Sequence, residues 1–378
     1  MSTFRTFAIA AVTILTLVNA LDVPASVFST DDLKGADTRP IKNIYIFGDS
    51  YSDNCNGARL ELNGIVNALF PFPNCVPAPI GRADNALAWP EYVANYRPDW
   101  DIKIYAHSGA TCDAKQQNQG SVDIPGQLQL FQTRFKTQVT PAGLTDNPNT
   151  AVGVLFIGGN DLLLIQQKAW GKLPLLASST GSNDDASMCI KKQIDAMHDL
   201  GFRRFVLFEL PPVDQSETLG GTSDHAASTA ALIQRRNTLS AQYSADLVKQ
   251  WNDGSTISIF PTIKLLTPMV TLNPAYEFKN GQGKYCNLTC PDPYSYAWTD
   301  GLHLSFRAFQ LMANAFVRFL DPEWKSGAIF SDVIAGQFSD GQVPSIDPQQ
   351  MGGATRLSTR PYHLFLSSFL LMLLLLAR

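Results

Sequence analysis

The sequence predicts an α/β protein, a three-layer α/β/α sandwich built on a five-stranded, mainly parallel sheet. Five short apolar runs rich in β-branched and aromatic residues lie among segments with helical periodicity. The runs are hydrophobic almost without interruption, which is typical of strands covered on both faces. Strand–helix alternation of this kind predicts helices packed on both sides of a parallel sheet.

The elements follow one another in a regular order along the chain. The predicted strands are 44–47, 102–106, 152–157, 205–210 and 256–260, and the predicted helices are 86–96, 126–136, 186–200, 226–251 and 305–320. Gly201 directly follows one helix, as is typical of a helix C-terminus. The last helix carries large apolar side chains at helical spacing and is expected to close the core.

The composition indicates an ordinary globular protein. Hydrophobic residues make up 45% and charged residues 16% of the 378 residues, which argues against disorder. A net charge of −4 offers no basic patch for nucleic acid, so no nucleic-acid partner is expected. There is no His-rich spacing, phosphate-binding loop or dinucleotide fingerprint, so we expect no metal and no cofactor. We expect a monomer.

The first twenty residues have the features of a secretory signal peptide. Arg5 gives a positive start, residues 7–18 form an apolar run, and Val18-Asn19-Ala20 ends it at the cleavage positions. A buried N-terminal helix is the alternative, but the polar run 29–38 is a poor companion for one. Residues 21–40 are interpreted as a linker that leads into a domain of residues 41–331.

The other end is typical of a glycosylphosphatidylinositol (GPI) attachment signal. Residues 362–378 are mostly apolar but short for a membrane span of about 20 residues. Small residues and a polar spacer precede them, which is the order of a GPI signal whose tail is removed. Gly352 is the favoured attachment site, with Gly353 and Ser345 as rivals, and a plain tail anchor is the alternative. Residues 332–361 would link the domain to the cell surface or cell wall.

Six cysteines remain after such processing, and an even count in a secreted protein indicates disulfides. Sequence proximity favours the pairs Cys55–Cys75 and Cys286–Cys290, which leaves Cys112–Cys189, and other pairings stay open. No histidine or second cysteine pair lies near Cys286 and Cys290, so zinc is disfavoured there. Asn287 begins the one Asn-x-Thr acceptor for N-glycosylation, in a loop expected to be exposed.

Four short blocks in a fixed order predict a single ester-cleaving site. They are Gly48-Asp49-Ser50, Ser108-Gly109-Ala110, Gly158-Gly159-Asn160-Asp161 and Asp300-Gly301-Leu302-His303. Each supplies a different part: a nucleophile, a backbone donor, a side-chain amide donor and an acid–base pair. Three of the blocks directly follow predicted strands, and ligand sites in parallel sheets lie beyond the carboxyl ends of the strands.

Ser50 is the candidate nucleophile, and a helix N-cap is its alternative interpretation. His303 has a carboxylate three residues earlier, Asp300, in a Trp- and Gly-containing loop between apolar segments, whereas the same spacing of Asp195 and His198 lies on a predicted helix. Asp300 would hold one ring nitrogen so that the other takes the serine proton, although a local capping pair also explains the spacing. His107, beside the second block, stays open as a pocket residue. If His303 acts as base, the rate falls as the pH drops through the pKa of its ring, about 6–7 for an unperturbed imidazole.

Asn160 and Gly109 are the candidate donors to the oxyanion. Asn160 follows two glycines, which let the backbone approach a ligand closely, and an Asx turn is the competing explanation for it. Gly109 would offer its backbone N–H where a side chain would obstruct the substrate. Removing one such donor costs on the order of 10²–10³-fold in rate.

These blocks resemble those of the SGNH, or GDSL-type, hydrolases, and the likeness covers roughly residues 44–320. The resemblance implies an SGNH, flavodoxin-like fold with Ser50 as nucleophile and with Asp300 and His303 as the dyad that assists it. It also implies three oxyanion donors: the backbone N–H groups of Ser50 and Gly109, and the Asn160 side chain.

Further stretches are similar to the fungal acetylesterases of carbohydrate esterase family 16; they are 47–53, 108–113, 210–214, 273–278 and 298–300. Tyr51 stands where many relatives have leucine, an ordinary variation in this branch. Leu304 and Thr299 stand where proline and a bulkier polar residue are usual. These two departures bear on the substrate more than on the catalytic residues.

The sequence therefore predicts a secreted, cell-surface serine esterase. It would hydrolyse short acyl esters, above all acetyl esters of plant-wall carbohydrates, through an acyl-enzyme on Ser50. A lipase or phospholipase acting on longer chains is the first alternative, supported by the membrane anchor. A non-catalytic, anchored wall protein is the second, and it is disfavoured because all five catalytic positions hold competent residues.

Overall fold

The computed structural model describes residues 37–54, 88–135, 143–271, 278, 285 and 295–324. They all lie in the first of two compact units, Met1–Ser345, and none lies in the second, Ile346–Arg378. The predicted signal peptide, the Asn287 acceptor, the Gly352 attachment region and the C-terminal tail lie outside the described residues. So do the predicted disulfides Cys55–Cys75 and Cys286–Cys290.

The strands, in chain order, are β1 (Asn43–Gly48), β2 (Asp101–Ile104), β3 (Gln117–Asn118), β4 (Ala151–Phe156), β5 (Ser178–Ser179), β6 (Arg204–Phe208) and β7 (Thr256–Phe260). Five of them form one sheet in the order β2-β1-β4-β6-β7, and every pair in it is parallel. This is the doubly wound order of flavodoxin-like folds. The predicted fold class is confirmed, and β3 and β5 add a separate antiparallel ribbon.

The helices are α1 (Trp89–Tyr96), α2 (Ile124–Phe135), α3 (Gly159–Ala169), α4 (Asn183–Asp199), α5 (Glu217–Gly220), α6 (Ser223–Trp251), α7 (Thr262–Val270) and α8 (Phe306–Leu320). The sequence predicted α1, α2, α4, α6 and α8, with ends shifted by a few residues. It did not predict α3, α5 or α7. Gly201 follows the C-cap residue of α4, as expected.

Two hydrophobic clusters cover the two faces of the sheet. Successive strand residues point to opposite faces, so Ile44 and Ile46 of β1 join one cluster while Tyr45 and Phe47 join the other. The first cluster includes residues of α1, α7 and α8, and the second includes residues of α2 and α4 and the end of α6. The described part of the first unit is therefore layered as helices, sheet and helices.

Side-chain caps begin the long helices on each face. The hydroxyls of Ser182, Thr222 and Ser305 accept backbone N–H bonds at the first turns of α4, α6 and α8. Each cap satisfies a donor that the helix itself leaves unpaired. In α8 the residues Leu311, Met312, Phe316 and Phe319 are buried in the first cluster, so this helix does close the core.

A disulfide joins Cys112 to Cys189 and so ties the segment after the second block to α4. The predicted pairing of these two cysteines is confirmed. At the amino end of β6, the buried Arg204 donates to the backbone carbonyls of Asp37, Arg39 and Pro40. The described part of the predicted N-terminal linker, residues 37–40, is thus held against the domain.

Among the described residues, no helix has both the length and the apolar character needed to cross a membrane.

Candidate active site

The side chains of Ser50, His303 and Asp300 form a continuous hydrogen-bonded chain. Ser50 lies in the turn after β1, and His303 lies in the segment before α8. The Ser50 Oγ is 2.8 Å from Nε2 of the His303 ring. On the other side of the ring, Nδ1 is 2.7 Å from Oδ2 of Asp300. A ring in this position can take the hydroxyl proton and is stabilised as the cation that results.

Asp300 makes local hydrogen bonds as well as the bond to the ring. Its Oδ1 accepts from the backbone N–H groups of Leu302 at 2.7 Å and His303 at 2.6 Å. Asp300 therefore holds the His303 ring and also makes the local capping bonds that the Asp-x-x-His spacing allows. Burial raises the pKa of the Asp300 carboxyl, but the hydrogen bonds and charge of His303 outweigh it, and the pKa lies below its usual value. Asp300 is therefore ionised at neutral pH.

The first block forms a tight turn at the carboxyl end of β1. The backbone N–H groups of Ser52 and Asp53 both donate to the Asp49 carbonyl, and the described residues 49–54 do not go on into a helix. The N-cap alternative for Ser50 is not supported, since its hydroxyl faces His303 instead. The Asp53 carboxylate accepts the Ser108 N–H at 2.7 Å, which joins the first block to the second.

This place in the sheet is the topological switch point. The chain leaves β1 for β2 on one side, while β4, β6 and β7 follow on the other side. Ligand sites of open parallel sheets form at such crevices, outside the carboxyl ends of the strands. Ser50 follows β1 and Asn160 follows β4, so two of the blocks lie on adjacent strands at this crevice.

The second and third blocks lie side by side. The Asn160 Nδ2 donates to the Ala110 carbonyl at 2.9 Å, and residue 160 is 8% exposed. Because a carboxamide nitrogen carries two hydrogens, one bond to Ala110 leaves a second N–H for an oxyanion. The Asx-turn alternative for Asn160 is not supported, because its side chain bonds across to another segment.

One glycine in the second block and one in the third hold backbone conformations that other residues rarely adopt. Gly109 has φ 77° and Gly158, the residue before α3, has φ 113°. A Cβ on Gly158 would lie 2.7 Å from the Arg236 guanidinium, and the Arg236 Nη1 donates to the Gly158 carbonyl at 2.6 Å. The close approach of Arg236 therefore requires glycine at the start of the third block.

Arg236 and Asp161 are both fully buried behind the third block. Burial lowers the pKa of Arg236 to about 10 and raises the pKa of Asp161 to about 6, and in each case the charge of the other residue opposes the change. Arg236 also donates to Asn183 Oδ1, and the Asp161 carboxylate accepts the Cys112 N–H. These contacts fasten α3 to α4 and to the segment after the second block.

Two side chains beside Ser50 are also buried. Burial raises the pKa of the Asp49 carboxyl to about 7, and Asp49 accepts the Tyr51 N–H. The Tyr51 hydroxyl donates to the Leu302 carbonyl at 2.7 Å, and its ring lies 5.9 Å from the His303 ring. Tyr51 thus connects the nucleophile turn to the loop that carries His303.

Among the described residues, the other histidines take no part in the hydrogen-bonded chain of Ser50, His303 and Asp300. His198 pairs with Asp253 at the end of α4, and His225 stacks on Trp170 near the start of α6. His107 is buried beside the second block, and burial lowers the pKa of its ring. No group of side chains that could hold a metal ion occurs in the described part of the chain.

The residues that hold the second and third blocks in place carry no signal that the sequence patterns revealed. Gln119, Ser121 and Arg236 each donate to the carbonyl of a residue in the second or third block. Asn118-Gln119-Gly120 has the composition of a turn, which is a local signal. The direction in which Gln119 and Ser121 point depends on tertiary contacts that no local pattern records.

Comparison with known proteins gives one family match. A family model described as GDSL-like Lipase/Acylhydrolase matches residues 44–316. No curated protein matches the chain.

Solved structures with a similar fold are distant. A member of the lipolytic protein G-D-S-L family from Veillonella parvula shares 13% identity, over 75% of this chain and 100% of that one, with a TM-score of 0.39. An acetylxylan esterase from Geobacillus stearothermophilus shares 14% identity, over 76% of this chain and 97% of that one, with a TM-score of 0.41.

Proposed function

This chain belongs to the GDSL-like lipase/acylhydrolase family, and on that premise we propose that it is a serine esterase that removes short acyl groups, acetyl above all, from carbohydrates. Ser50 is the nucleophile, His303 is the general base and acid, and Asp300 holds the His303 ring. The observation that carries the proposal is the pair of short contacts, 2.8 Å from Ser50 Oγ to Nε2 and 2.7 Å from Nδ1 to Asp300.

Acylation begins with proton transfer from Ser50 to His303. As the Ser50 Oγ attacks the ester carbonyl carbon, Nε2 takes the hydroxyl proton and the C=O electron pair moves onto oxygen. The oxyanion accepts hydrogen bonds from the backbone N–H groups of Ser50 and Gly109 and from Asn160 Nδ2. When the tetrahedral intermediate collapses, the bond to the alcohol oxygen breaks and that oxygen takes the proton from His303.

Deacylation repeats these steps with water. His303 takes a proton from a water molecule as the water oxygen attacks the acyl carbon of the Ser50 ester. The second tetrahedral intermediate expels Ser50 Oγ, which recovers its proton from His303, and the carboxylic acid leaves. Asp300 stays ionised throughout, because its pKa lies below the usual value, and it stabilises the imidazolium in both halves.

The preference for acetyl esters of carbohydrates is supported by sequence. Stretches 47–53 and 108–113, which contain Ser50 and Gly109, are similar to those of fungal family 16 acetylesterases. Leu304 and Thr299 depart from that branch.

The test of the chemistry is hydrolysis of p-nitrophenyl acetate by the purified protein and by Ser50→Ala. We expect the variant to lose at least about 10⁴-fold in kcat, because removal of a triad nucleophile leaves only binding and the oxyanion donors. Ser178→Ala, the same change at an exposed position of β5, should keep the wild-type rate. Equal rates for wild type and Ser50→Ala would overturn the proposal.

The test of the substrate is a comparison among acetylated xylo-oligosaccharides, p-nitrophenyl esters of increasing chain length, triacylglycerols and phospholipids. The proposal expects kcat/KM to fall as the acyl chain lengthens. A higher kcat/KM for long acyl chains would show that the enzyme is a lipase and not an acetylesterase.

One observation favours a lipase, which is the second candidate function. Leu175 and Leu176, in the loop between α3 and β5, are 98% and 62% exposed, and exposed leucines at a loop tip can enter a lipid surface. If the protein is a lipase, Leu175→Ser/Leu176→Ser lowers activity on emulsified long-chain esters and leaves activity on soluble acetate unchanged. If it is an acetylesterase, neither activity changes.

We also propose that the protein acts outside the cell, attached by a GPI anchor at Gly352. The disulfide Cys112–Cys189 supports an oxidising compartment, where such bonds form and persist. Phosphatidylinositol-specific phospholipase C should release the protein from intact cells, with its C-terminal peptide ending at Gly352. Protein that stays on the membrane after this treatment would support a tail anchor instead.

A further inference from the structure

We propose that the turn Gln119–Ser121 is the positioning element of the oxyanion site, with Gln119 and Ser121 each aligning one of its donors. This inference rests on the proposed function, because it concerns the oxyanion of the same reaction. Neither residue would touch the substrate. Each acts through a donor, Ser121 through the backbone of Gly109 and Gln119 through the side chain of Asn160.

Ser121 fixes the peptide unit that carries the Gly109 N–H. Its Oγ donates to the Ser108 carbonyl at 2.6 Å. The Ser108 carbonyl and the Gly109 N–H belong to one planar trans peptide, so they point in opposite directions. Holding the carbonyl from the Ser121 side therefore sets the direction of the N–H. A bond into the carbonyl also polarises the amide and strengthens it as a donor.

Gln119 fixes the orientation of the Asn160 carboxamide. Its Nε2 donates to Asn160 Oδ1 at 2.8 Å and to the Gly109 carbonyl at 2.9 Å. Because Gln119 presents a donor, the oxygen of Asn160 must face it and the nitrogen must point away. The Asn160 Nδ2 then bonds the Ala110 carbonyl at 2.9 Å and keeps its other hydrogen for the oxyanion. One amide group thus bridges the second and third blocks.

The turn itself is held at several points. The Asn118 side chain accepts the Gly120 N–H at 2.7 Å, and β3 just before the turn pairs with β5. The Thr111 hydroxyl donates to the Gln117 carbonyl at 2.6 Å. The turn is therefore fastened both to the ribbon and to the segment that follows the second block.

Gly109 packs directly against this turn. A Cβ on Gly109 would lie 3.3 Å from the Ser121 Cβ and 3.4 Å from the Gln119 Nε2. The two side chains therefore lie on the side of Gly109 where a Cβ would point. Gln119 also bonds the Gly109 carbonyl, so the turn and the Gly109 backbone are in direct contact.

The expected effect is on the transition state rather than on substrate binding. The oxyanion exists only during the reaction, so misaligned donors lower kcat and leave KM close to its wild-type value. Loss of a whole donor costs on the order of 10²–10³-fold. Misalignment without loss should cost less, about tenfold in kcat for each residue.

The Ser121 test is a matched pair of substitutions. Ser121→Thr keeps the hydroxyl, whereas Ser121→Val has the shape of threonine without it. We expect Ser121→Val to lose about tenfold in kcat relative to Ser121→Thr, with equal KM and with both variants folded by circular dichroism. Equal kcat for the two variants would show that the hydroxyl does not act on Gly109.

The Gln119 test compares Gln119→Met with Gln119→Glu. Glutamate keeps the shape but presents an acceptor to Asn160 Oδ1, which favours a flipped carboxamide with its oxygen toward the oxyanion. We therefore expect kcat to fall in the order wild type, Gln119→Met, Gln119→Glu. If Gln119 only filled space, the similarly sized Gln119→Met would keep the wild-type kcat, and that result would overturn the inference.

A readout independent of turnover is the affinity for a boronic acid, whose tetrahedral adduct with Ser50 Oγ places an oxygen at the oxyanion site. We expect Ser121→Val and Gln119→Glu to weaken its inhibition about tenfold, in parallel with kcat. Unchanged inhibition in both variants would contradict the inference.

The two proposals fail in different ways. If the wild type hydrolyses no ester but its Ser50 reacts with a fluorophosphonate, the proposed function is wrong. The inference is then decided by the labelling rate, which should be slower in Ser121→Val than in Ser121→Thr. If the wild type is active and the paired variants are equal, the function stands and the inference falls. A wild-type Ser50 that neither turns over nor reacts would overturn both.

Discussion

Tyr51 connects the turn that carries Ser50 to the loop that carries His303. It directly follows Ser50, its hydroxyl bonds the Leu302 carbonyl, and its ring contacts the rings of His303, Phe156 and Phe309. The Leu302 N–H is in turn held by Asp300. The peptide units on both sides of Leu302 are thus restrained from different directions, which keeps His303 at hydrogen-bond distance from Ser50.

Tyr51→Phe should therefore lower kcat and leave KM unchanged. It keeps the ring contacts and removes one hydrogen bond of about 0.5–1.5 kcal/mol, so we expect a loss of about 2- to 10-fold. Tyr96→Phe is the matched control, because it removes a hydroxyl bonded to another backbone carbonyl, that of Gln310 in α8. Similar kcat for the two variants in p-nitrophenyl acetate assays would contradict a role for the Tyr51 hydroxyl.

We expect the buried Asp49 carboxyl to contribute stability in mild acid that is lost as the pH rises toward about 7. Burial raises its pKa from 3.8 to about 7. Between about pH 4 and pH 7 the folded protein thus binds a proton that the unfolded chain has lost, and the free energy of unfolding falls as the pH rises. The slope approaches about 1.4 kcal/mol per pH unit. Asp161, with a pKa of about 6, acts in the same direction.

Asp49→Asn should reduce this slope and raise the free energy of unfolding at pH 8. The measurement is urea unfolding at pH 4.5, 6 and 8. Asp199→Asn, at the exposed end of α4, should keep the wild-type slope. A steeper decline for Asp49→Asn than for wild type would show that the buried carboxyl is stabilised as an anion instead.

At the scale of elements, Arg236 fastens α6 to the start of α3. It is fully buried, it donates to Gly158 and Asn183, and its charge lies near that of Asp161. Its neighbour Arg235 pairs with Asp184 at the surface, where it is 57% exposed. Adjacent arginines on one helix thus have opposite environments.

Arg236→Met should cost about 3–5 kcal/mol in unfolding free energy, because it leaves a buried carboxylate without its compensating charge. Arg235→Met should cost no more than about 1 kcal/mol, as is usual for exposed ion pairs. Urea unfolding at pH 7 measures both. Asp161→Asn added to Arg236→Met should recover part of the loss, and equal losses for the two arginine variants would contradict this account.

The elements that sequence analysis did not predict are those defined by tertiary contacts. The Gly159-Asn160-Asp161 start of α3 carries residues that favour turns, and the helix begins there because Arg236 and Ala110 hold that end. α7 contains Pro268, which argues against a helix. The two-residue strands β3 and β5 are too short to show any periodicity.

At the scale of the molecule, the sheet and the Asp300–His303 pair were predictable because their signals are local. Buried parallel strands are continuously apolar, as in Val152 to Phe156, and Asp300 and His303 lie three residues apart. Ser50 meets His303 across 253 positions, and that contact was predicted from the resemblance of the four blocks to a known family. The bracing contacts were not predictable, because Gln119 meets Asn160 across 41 positions and Tyr51 meets Leu302 across 251. Such pairs exist only once the sheet order brings the loops together.

The central claim is that Ser50 carries the acyl group during turnover. Quenching the wild-type protein with acid during hydrolysis of p-nitrophenyl acetate, followed by peptide mass spectrometry, tests it directly. We expect one acetyl group on Ser50, absent from His303→Ala, because without the general base acylation becomes too slow. Acetate on a different residue, or sustained turnover by Ser50→Ala, would contradict the account.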